Sequence, residues 1–482
     1  MMKPMMLVGT ASDVGKSVIT AAFCRIFRQD GYHPAPFKAQ NMSLNSYATP
    51  EGLEIGRAQA VQAEAAGIPC HTDMNPVLLK PTSDKASQIV LNGKPVGTQS
   101  AWEYFMADDR QALFTAVTEA YDRLAARYSP IVMEGAGSIS ELNLRHRDIT
   151  NLRMAIHAGA ATYLIGDIDR GGLFGSVYGT IALLTPEERT CIQGIIVNKF
   201  RGDARLFEDG KRMLAELTGV PVVGVLPYYR DIYIEEEDSV ALDWKRRSAL
   251  DGKVNVAVVL LHRMSNFTDF NRLERDPRVN LYYAATPREL EAADVVILPG
   301  SKNTVEDLIS LRQRGMAAAI LSARKNGKTV IGICGGYQMM GESVEDPEGV
   351  ESTVPFVPGL GLLPVRTVLT PHKTTNQRTF TFQGATCSGY EIHMGVTSGG
   401  GQPVAILADG TPDGCRADNT CWGTYLHGIL DNDAVVNAVL EPHTAARAAP
   451  FSYPDWKEEQ YDKLADWLRS HIDLDYIYGT LR

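Results

Sequence analysis

The sequence predicts two α/β domains in series, the first doubly wound, and three observations carry the prediction. Short apolar, β-rich runs alternate with longer helix-compatible stretches through both halves of the chain, the pattern of a parallel sheet covered on both faces. A glycine-rich loop ending in Gly15-Lys16-Ser17 follows the first apolar run, and a Gly-x-Cys-Gly-Gly turn around Cys334 follows a run in the second half. Between them the alternation breaks, with an acidic run from Glu235 to Asp238 and a basic cluster from Lys245 to Arg247.

In order along the first half, strands are expected at Met5–Val8, at a run ending in Phe37, and at Ile131–Met133, Thr162–Ile165, Gly194–Val197 and Val222–Val225. Helices are expected at Lys16–Gln29, Arg57–Ala66 and Ala112–Arg127. These place a nucleotide-binding domain at 1–235 and a solvated connector at 236–252, closed by Gly252. The second domain, 253–482, restarts the alternation at Val254–Leu261, Val295–Leu298 and Thr329–Ile333, with a further strand at Val404–Leu407. Its tail from Phe451 carries Trp456, Tyr461, Leu464, Trp467, Leu468 and Ile472 at helical spacing, so it packs back on the body.

Composition excludes several classes of partner. At roughly 100–200 residues per domain, 482 residues hold two to four domains. The 47 Lys+Arg against 57 Asp+Glu leave a net charge of −10, with no basic run to neutralise a phosphate backbone, so no nucleic acid partner is expected. No apolar run approaches the roughly 18 residues of a membrane span, and the N-terminus reads as a buried strand rather than a signal peptide. Seven scattered cysteines without zinc-site spacing fit a reducing cytoplasm.

The loop Gly9-Thr10-Ala-Ser-Asp-Val14-Gly15-Lys16-Ser17, between a strand and a helix start, aims backbone N–H groups and a helix dipole at an anion. Lys16 is expected on the β/γ-phosphates of ATP and Ser17 on Mg²⁺; the loop has five residues between its glycines where the usual pattern has four. Carboxylates at neighbouring strand ends complete such sites. Glu134, which opens Gly135-Ala-Gly137, and Asp167 or Asp169 are candidates to hold Mg²⁺ directly or through water, with helix capping the plain alternative. Asn198 is either an amide for the nucleotide base or a turn residue. Lys38, with Asn41 and Asn45 behind it, suits a polar, multi-carboxylate substrate beside the γ-phosphate.

Around Cys334, an apolar strand, a glycine turn and a helix start make the cysteine form of a nucleophile elbow, where the N–H of Gly335 faces an oxyanion. His427, beside Gly428, is the expected general base, with His393 its main rival. Gly300, on an exposed loop after Val295–Leu298, is a candidate for a second oxyanion N–H.

Gly-x-Cys-x-Gly-x-Gln, matched by Cys334, Gly336 and Gln338, resembles the class I glutamine amidotransferases, with His427 at the position of their base. The Gly9–Ser17 loop and Glu134–Gly137 resemble the dethiobiotin synthetase type of ATP-dependent ligase. Both in this order resemble the cobyric and cobyrinic acid amidases. Lys38–Asn45, Asn75–Pro81, Ser265–Asp269 and Gly389–Gly395 resemble the cobyric acid synthase family in particular. That resemblance implies ATP- and glutamine-dependent amidation of the b, d, e and g carboxylates of adenosylcobyrinic acid a,c-diamide, a corrinoid polyacid. Cobyrinic acid a,c-diamide synthase or a related polyacid amidase is the enzyme alternative, and a P-loop regulatory or partitioning ATPase the non-enzyme one. Other class I members carry Glu two residues after the catalytic His; here Ile429 stands there, leaving open what orients His427 and whether the glutaminase is a Cys/His dyad.

Overall fold

The computed structural model describes residues 2–82, 86–100, 110–235, 248–446 and 451–482, and each half of the chain builds a predominantly parallel sheet. The first runs Val222–Pro227, Ile192–Phe200, Ala161–Asp167, Met5–Gly9, Ile131–Glu134, Ala35–Phe37, all parallel. Met5–Gly9 is buried along its whole length, as a continuous apolar run between two neighbours must be. Its neighbours are reached by crossovers to opposite sides, so its carboxyl end opens the crevice where ligands of such sheets bind. The helix Lys16–Gln29 has the predicted bounds and stops at Asp30-Gly31, Gly31 taking φ 84°. It is buried on nearly all sides because sheet, neighbouring helix and chain tail surround it.

The second sheet runs Val279–Ala284, Val254–Val259, Val295–Leu298, Thr329–Ile333, Cys421–Thr424, Cys415–Asp418, parallel but for the last pair. The run expected at Val404–Leu407 forms Ala405–Leu407 but lies outside this sheet. It pairs antiparallel with Phe380–Thr381 of a long hairpin, Val365–Phe382 with Ala385–Gly399. A β-rich run specifies a strand, not the sheet it joins, and alternating burial along the hairpin marks a ribbon with one face packed. A smaller hairpin, Ser46–Ala48 with Glu54–Gly56, projects from the first unit toward the second.

Two expectations about organisation are corrected. Residues 236–247 of the predicted connector lie outside the described residues, but Glu235, read as the start of a solvated run, is 8% exposed and paired with Arg57 at 2.5 Å. A buried guanidinium requires such a carboxylate. The tail, grouped by sequence position with the second domain, completes the core of the first. Helix Tyr453–Arg469 packs on Lys16–Gln29, and Arg25 binds Glu458 and Asp462 at 2.7 Å each. The Lys3 N–H donates to Leu481 O at 2.8 Å, and Asp473 N–H to Val223 O at 2.8 Å. The units meet at Glu54, whose carboxylate takes Lys80 of its own unit at 2.6 Å and Lys373 of the other at 2.5 Å. Among the described residues no helix is long and apolar enough to cross a membrane.

Leu464 is fully buried in the first core. Leu464→Ala should cost about 2–5 kcal/mol. Denaturant unfolding should show the transition of the first unit at lower concentration and that of the second unmoved, whereas a shift of the second alone would place the tail there.

Candidate active site

Two chemical centres emerge. The first lies at the carboxyl end of Met5–Gly9. Gly15 caps the helix at φ 98° with no side-chain cap, which leaves the first N–H groups of the helix to an anion. A Cβ at Gly15 would stand 2.2 Å from Asn198 Nδ2, so glycine is required by space as well as by φ. Thr10 N–H is held by Ile165 O at 3.0 Å and Gly9 ends the strand, while Val14 is buried beneath the loop. Lys16 Nζ donates to Ala11 O and Gly137 O, both at 3.0 Å, the second carbonyl lying in the glycine segment after Glu134.

Glu134 organises this centre. Its Oε1 accepts from Ser17 Oγ at 2.8 Å and from Lys38 Nζ at 2.8 Å, and its Oε2 from Gln62 Nε2 at 2.7 Å. Glu134 is 1% exposed; burial alone would raise its pKa, but the Lys38 charge and these hydrogen bonds hold it below the ordinary carboxylate value. Mg²⁺ takes a few protein oxygens and fills its shell with phosphate and water, so a hydroxyl and a carboxylate at a phosphate loop fit it. Lys16, Ser17, Lys38, Asn41 and Glu134 line a cavity of about 1050 Å³.

Other predicted residues stand elsewhere. Asp167 pairs with Lys199 at 2.9 Å and is not among the cavity walls. Lys199 also donates to Asp13 O at 2.5 Å, so this pair braces the back of the phosphate loop. Asp169 faces Arg201 at 2.5 Å, near the surface. Asn198 does line the cavity, but its Nδ2 donates to Val14 O at 2.8 Å, a loop-bracing bond. Asn45 is outside the cavity; its Oδ1 accepts from Phe267 N–H at 3.2 Å across the domain boundary.

The second centre is the cysteine elbow. Cys334 takes φ 52° and ψ −110° between Thr329–Ile333 and the short helix Gly335–Met340, a strained conformation held by Cys334 N–H to Thr424 O at 2.8 Å. A Cβ on Gly335 would lie 2.8 Å from Ser301 N, and one on Gly300 3.1 Å from His427 Cε1, so the 300–301 backbone converges on the elbow. Gly300 and Ser301 are buried in a two-stranded pair with Met264–Ser265 rather than exposed. Gln338 is clamped, its Oε1 accepting from Thr304 Oγ1 at 2.9 Å and its Nε2 donating to Tyr425 OH at 3.2 Å.

His427 stands beside Cys334, whose Sγ donates to Ile392 O at 3.5 Å, and its Nδ1 lies 2.7 Å from Asp269 Oδ2. Asp269 Oδ1 accepts Gly428 N–H at 2.9 Å, which fixes the carboxylate at both oxygens. Burial alone would lower the His427 pKa, but Asp269 and Cys334 raise it to about 10. An imidazolium beside the sulfur is the partner that a thiolate nucleophile uses. His393, the rival candidate, has its Nδ1 2.9 Å from Gly395 O and its ring stacked on Tyr425 at 3.7 Å. The residue that orients His427 is therefore Asp269, which sequence reasoning missed as a functional group. Its segment, Ser265–Asp269, stood out only as a family likeness, and nothing in its spacing links it to a histidine 158 residues away. Nucleophile, base and orienting carboxylate are the equipment of acyl transfer.

Comparison with known proteins gives one consistent result. Residues 5–240 match the CobQ/CobB/MinD/ParA nucleotide binding domain, and residues 255–435 the CobB/CobQ-like glutamine amidotransferase domain. A cobyric acid synthase from Parabacteroides distasonis is 63% identical over 491 residues, covering 100% of this chain and 99% of its own. One from Bacteroides fragilis is 62% identical over 485 residues, covering 99% and 98%. One from Salmonella arizonae is 48% identical over 505 residues, covering 100% and 99%.

Asp269→Asn should cut glutamine hydrolysis by about 10³–10⁴-fold, as loss of the orienting carboxylate does in related triads. The sign of the pH effect follows from a folded-state pKa above the free value of 6.5: the stabilisation from the His427–Asp269 pair is full below about pH 6.5 and is lost as pH rises toward about 10. Without Asp269 the imidazolium deprotonates at lower pH, so the alkaline limb of residual glutaminase should move toward acid. An unmoved limb would mean that Asp269 does not act on His427.

Proposed function

The chain belongs to the cobyric acid synthase family, and from that membership we propose how its two centres divide an amidation. The overall activity is ATP- and glutamine-dependent amidation in cobalamin biosynthesis. The substrate we assign is adenosylcobyrinic acid a,c-diamide, amidated at its b, d, e and g side-chain carboxylates to adenosylcobyric acid. Its place of work is the cytoplasm, where thiols such as Cys334 stay reduced.

A carboxylate resists attack by ammonia, because the attack must expel oxide from a delocalised anion. Transfer of the γ-phosphoryl group from ATP to the carboxylate gives an acyl phosphate, from which ammonia then displaces phosphate. Lys16 and the helix N–H groups hold the phosphates, while Lys38 sets a positive charge between Glu134 and the incoming carboxylate. Ser17 and Glu134 would hold Mg²⁺, which when bound neutralises phosphate charge. At the second centre Cys334 attacks the glutamine side-chain amide, His427 gives the departing ammonia its proton, and water hydrolyses the thioester with His427 as base. Gly335 and the 300–301 backbone supply oxyanion donors, and Gln338 shapes the glutamine pocket.

The observation that carries this reading is a Cys334–His427–Asp269 line on the same chain as a phosphate loop whose Glu134 grips Ser17 and Lys38 together. The test is mass spectrometry of the corrinoid after incubation with adenosylcobyrinic acid a,c-diamide, MgATP and glutamine. Amidation at the b, d, e and g positions is expected, lost in Cys334→Ala with glutamine and restored there by an ammonium salt. ATP hydrolysis with an unchanged corrinoid would overturn the substrate.

A further inference from the structure

Both supports of His427 lean on one short segment of the other domain. Asp269, which holds Nδ1, is set by a turn in which its N–H donates to Asn266 O at 3.0 Å. Asn266 takes φ 52° and ψ 43°, the left-handed region that asparagine tolerates better than most residues. Its Oδ1 accepts from Ser46 N–H at 2.9 Å, and Asn45 Oδ1 returns the exchange by accepting from Phe267 N–H at 3.2 Å. Asn45, Ser46 and Asn266 are at most 3% exposed, so these reciprocal bonds are shielded from water.

The second support is Tyr390, whose ring stacks on His427 with centroids 5.3 Å apart and whose backbone exchanges two hydrogen bonds with that of His427. Tyr47 meets Tyr390 edge-on at 4.6 Å, and Ala48 joins them in a small apolar cluster. The carboxylate side and the ring side of the imidazole thus both end on residues 45–48. That segment is anchored in its own domain by Arg57 N–H on Asn45 O at 3.1 Å and by the Arg57 guanidinium over the Tyr47 ring at 4.7 Å.

We propose that Asn266 and Tyr47 are positioning residues of the glutaminase, through which the nucleotide-binding domain holds Asp269 and Tyr390 against His427. Neither touches the reacting atoms. Each acts by limiting where the imidazole sits, and a displacement on the order of 1 Å in such a group costs about 10²-fold in rate. The proposal rests on Cys334 being the glutaminase nucleophile. Cys334→Ala tests that separately, because it should abolish glutamine-driven amidation whatever Asn266 does.

The experiment compares full-length Asn266→Gly, which keeps the left-handed backbone and deletes the acceptor, with Asn266→Asp, which keeps both, and with Tyr47→Leu. Each is assayed for amidation driven by glutamine and by an ammonium salt. For Asn266→Gly, kcat with glutamine should fall at least about tenfold with little change in KM for glutamine, while the ammonium-driven rate stays within about twofold of the parent. Asn266→Asp should recover most of the loss. A glutamine-confined loss in either Asn266→Gly or Tyr47→Leu supports the proposal. Unchanged glutamine-driven rates in both, or glutamine and ammonium rates that fall together, would overturn it.

Discussion

A carboxylate cannot be buried in this fold without its full set of partners, and Glu134 meets that demand by binding together elements that share no chain continuity. At 1% exposure it would be driven to protonate or move unless a cation and hydrogen-bond donors reached it. Lys38 comes from the end of the edge strand, Ser17 from the phosphate loop and Gln62 from the helix Arg57–Ala66. Three connections of the nucleotide unit thus converge on one side chain. The same helix begins at Arg57, which reaches Glu235, Tyr47 and Asn45 O, so the constraint extends from the nucleotide crevice to the domain boundary.

What the sequence made legible is what local chemistry dictates. The phosphate loop and the cysteine elbow depend on glycines within a few residues of the reactive group, and the helix Lys16–Gln29 announces its own periodicity and ends. Cys334, Gly335, Lys16, Ser17 and Glu134 are singled out on such grounds, whereas Lys38 gains its weight from the family resemblance. Asp269 is not singled out, because a carboxylate becomes the partner of a histidine through the packing of separate sheets, and no pattern along the chain encodes that. For the related reason, the sequence leaves open whether Asp167, Asn198 and Asn45, polar residues at strand ends or in a loop, face the ligand or their own scaffold. Here Asn198 and the Asp167–Lys199 pair brace the loop from behind. The antiparallel setting of Ala405–Leu407 shows the same limit at the level of strands.

The two centres differ in how their charges are kept. At Glu134 a cation answers a buried anion, and the pairing lowers the carboxyl pKa; at His427 an anion answers a buried cation, and the pairing raises the imidazole to about 10. In both, burial alone would favour the neutral form, and a partner from a different element reverses the outcome. The Lys80–Glu54–Lys373 contact repeats that logic where the domains join. Charge satisfaction, beside apolar contact, therefore ties the two domains together at this point.

The return of the tail to the first core has a consequence for biogenesis. The core around Met5–Gly9 includes Leu464, Leu468 and Leu481, whereas the second sheet lies wholly between residues 254 and 424. During synthesis the amidotransferase half can therefore reach a closed core while the nucleotide half still waits for its last helices. The earlier-made domain is the later to finish, and until the tail docks, the face of helix Lys16–Gln29 that the tail covers stays open.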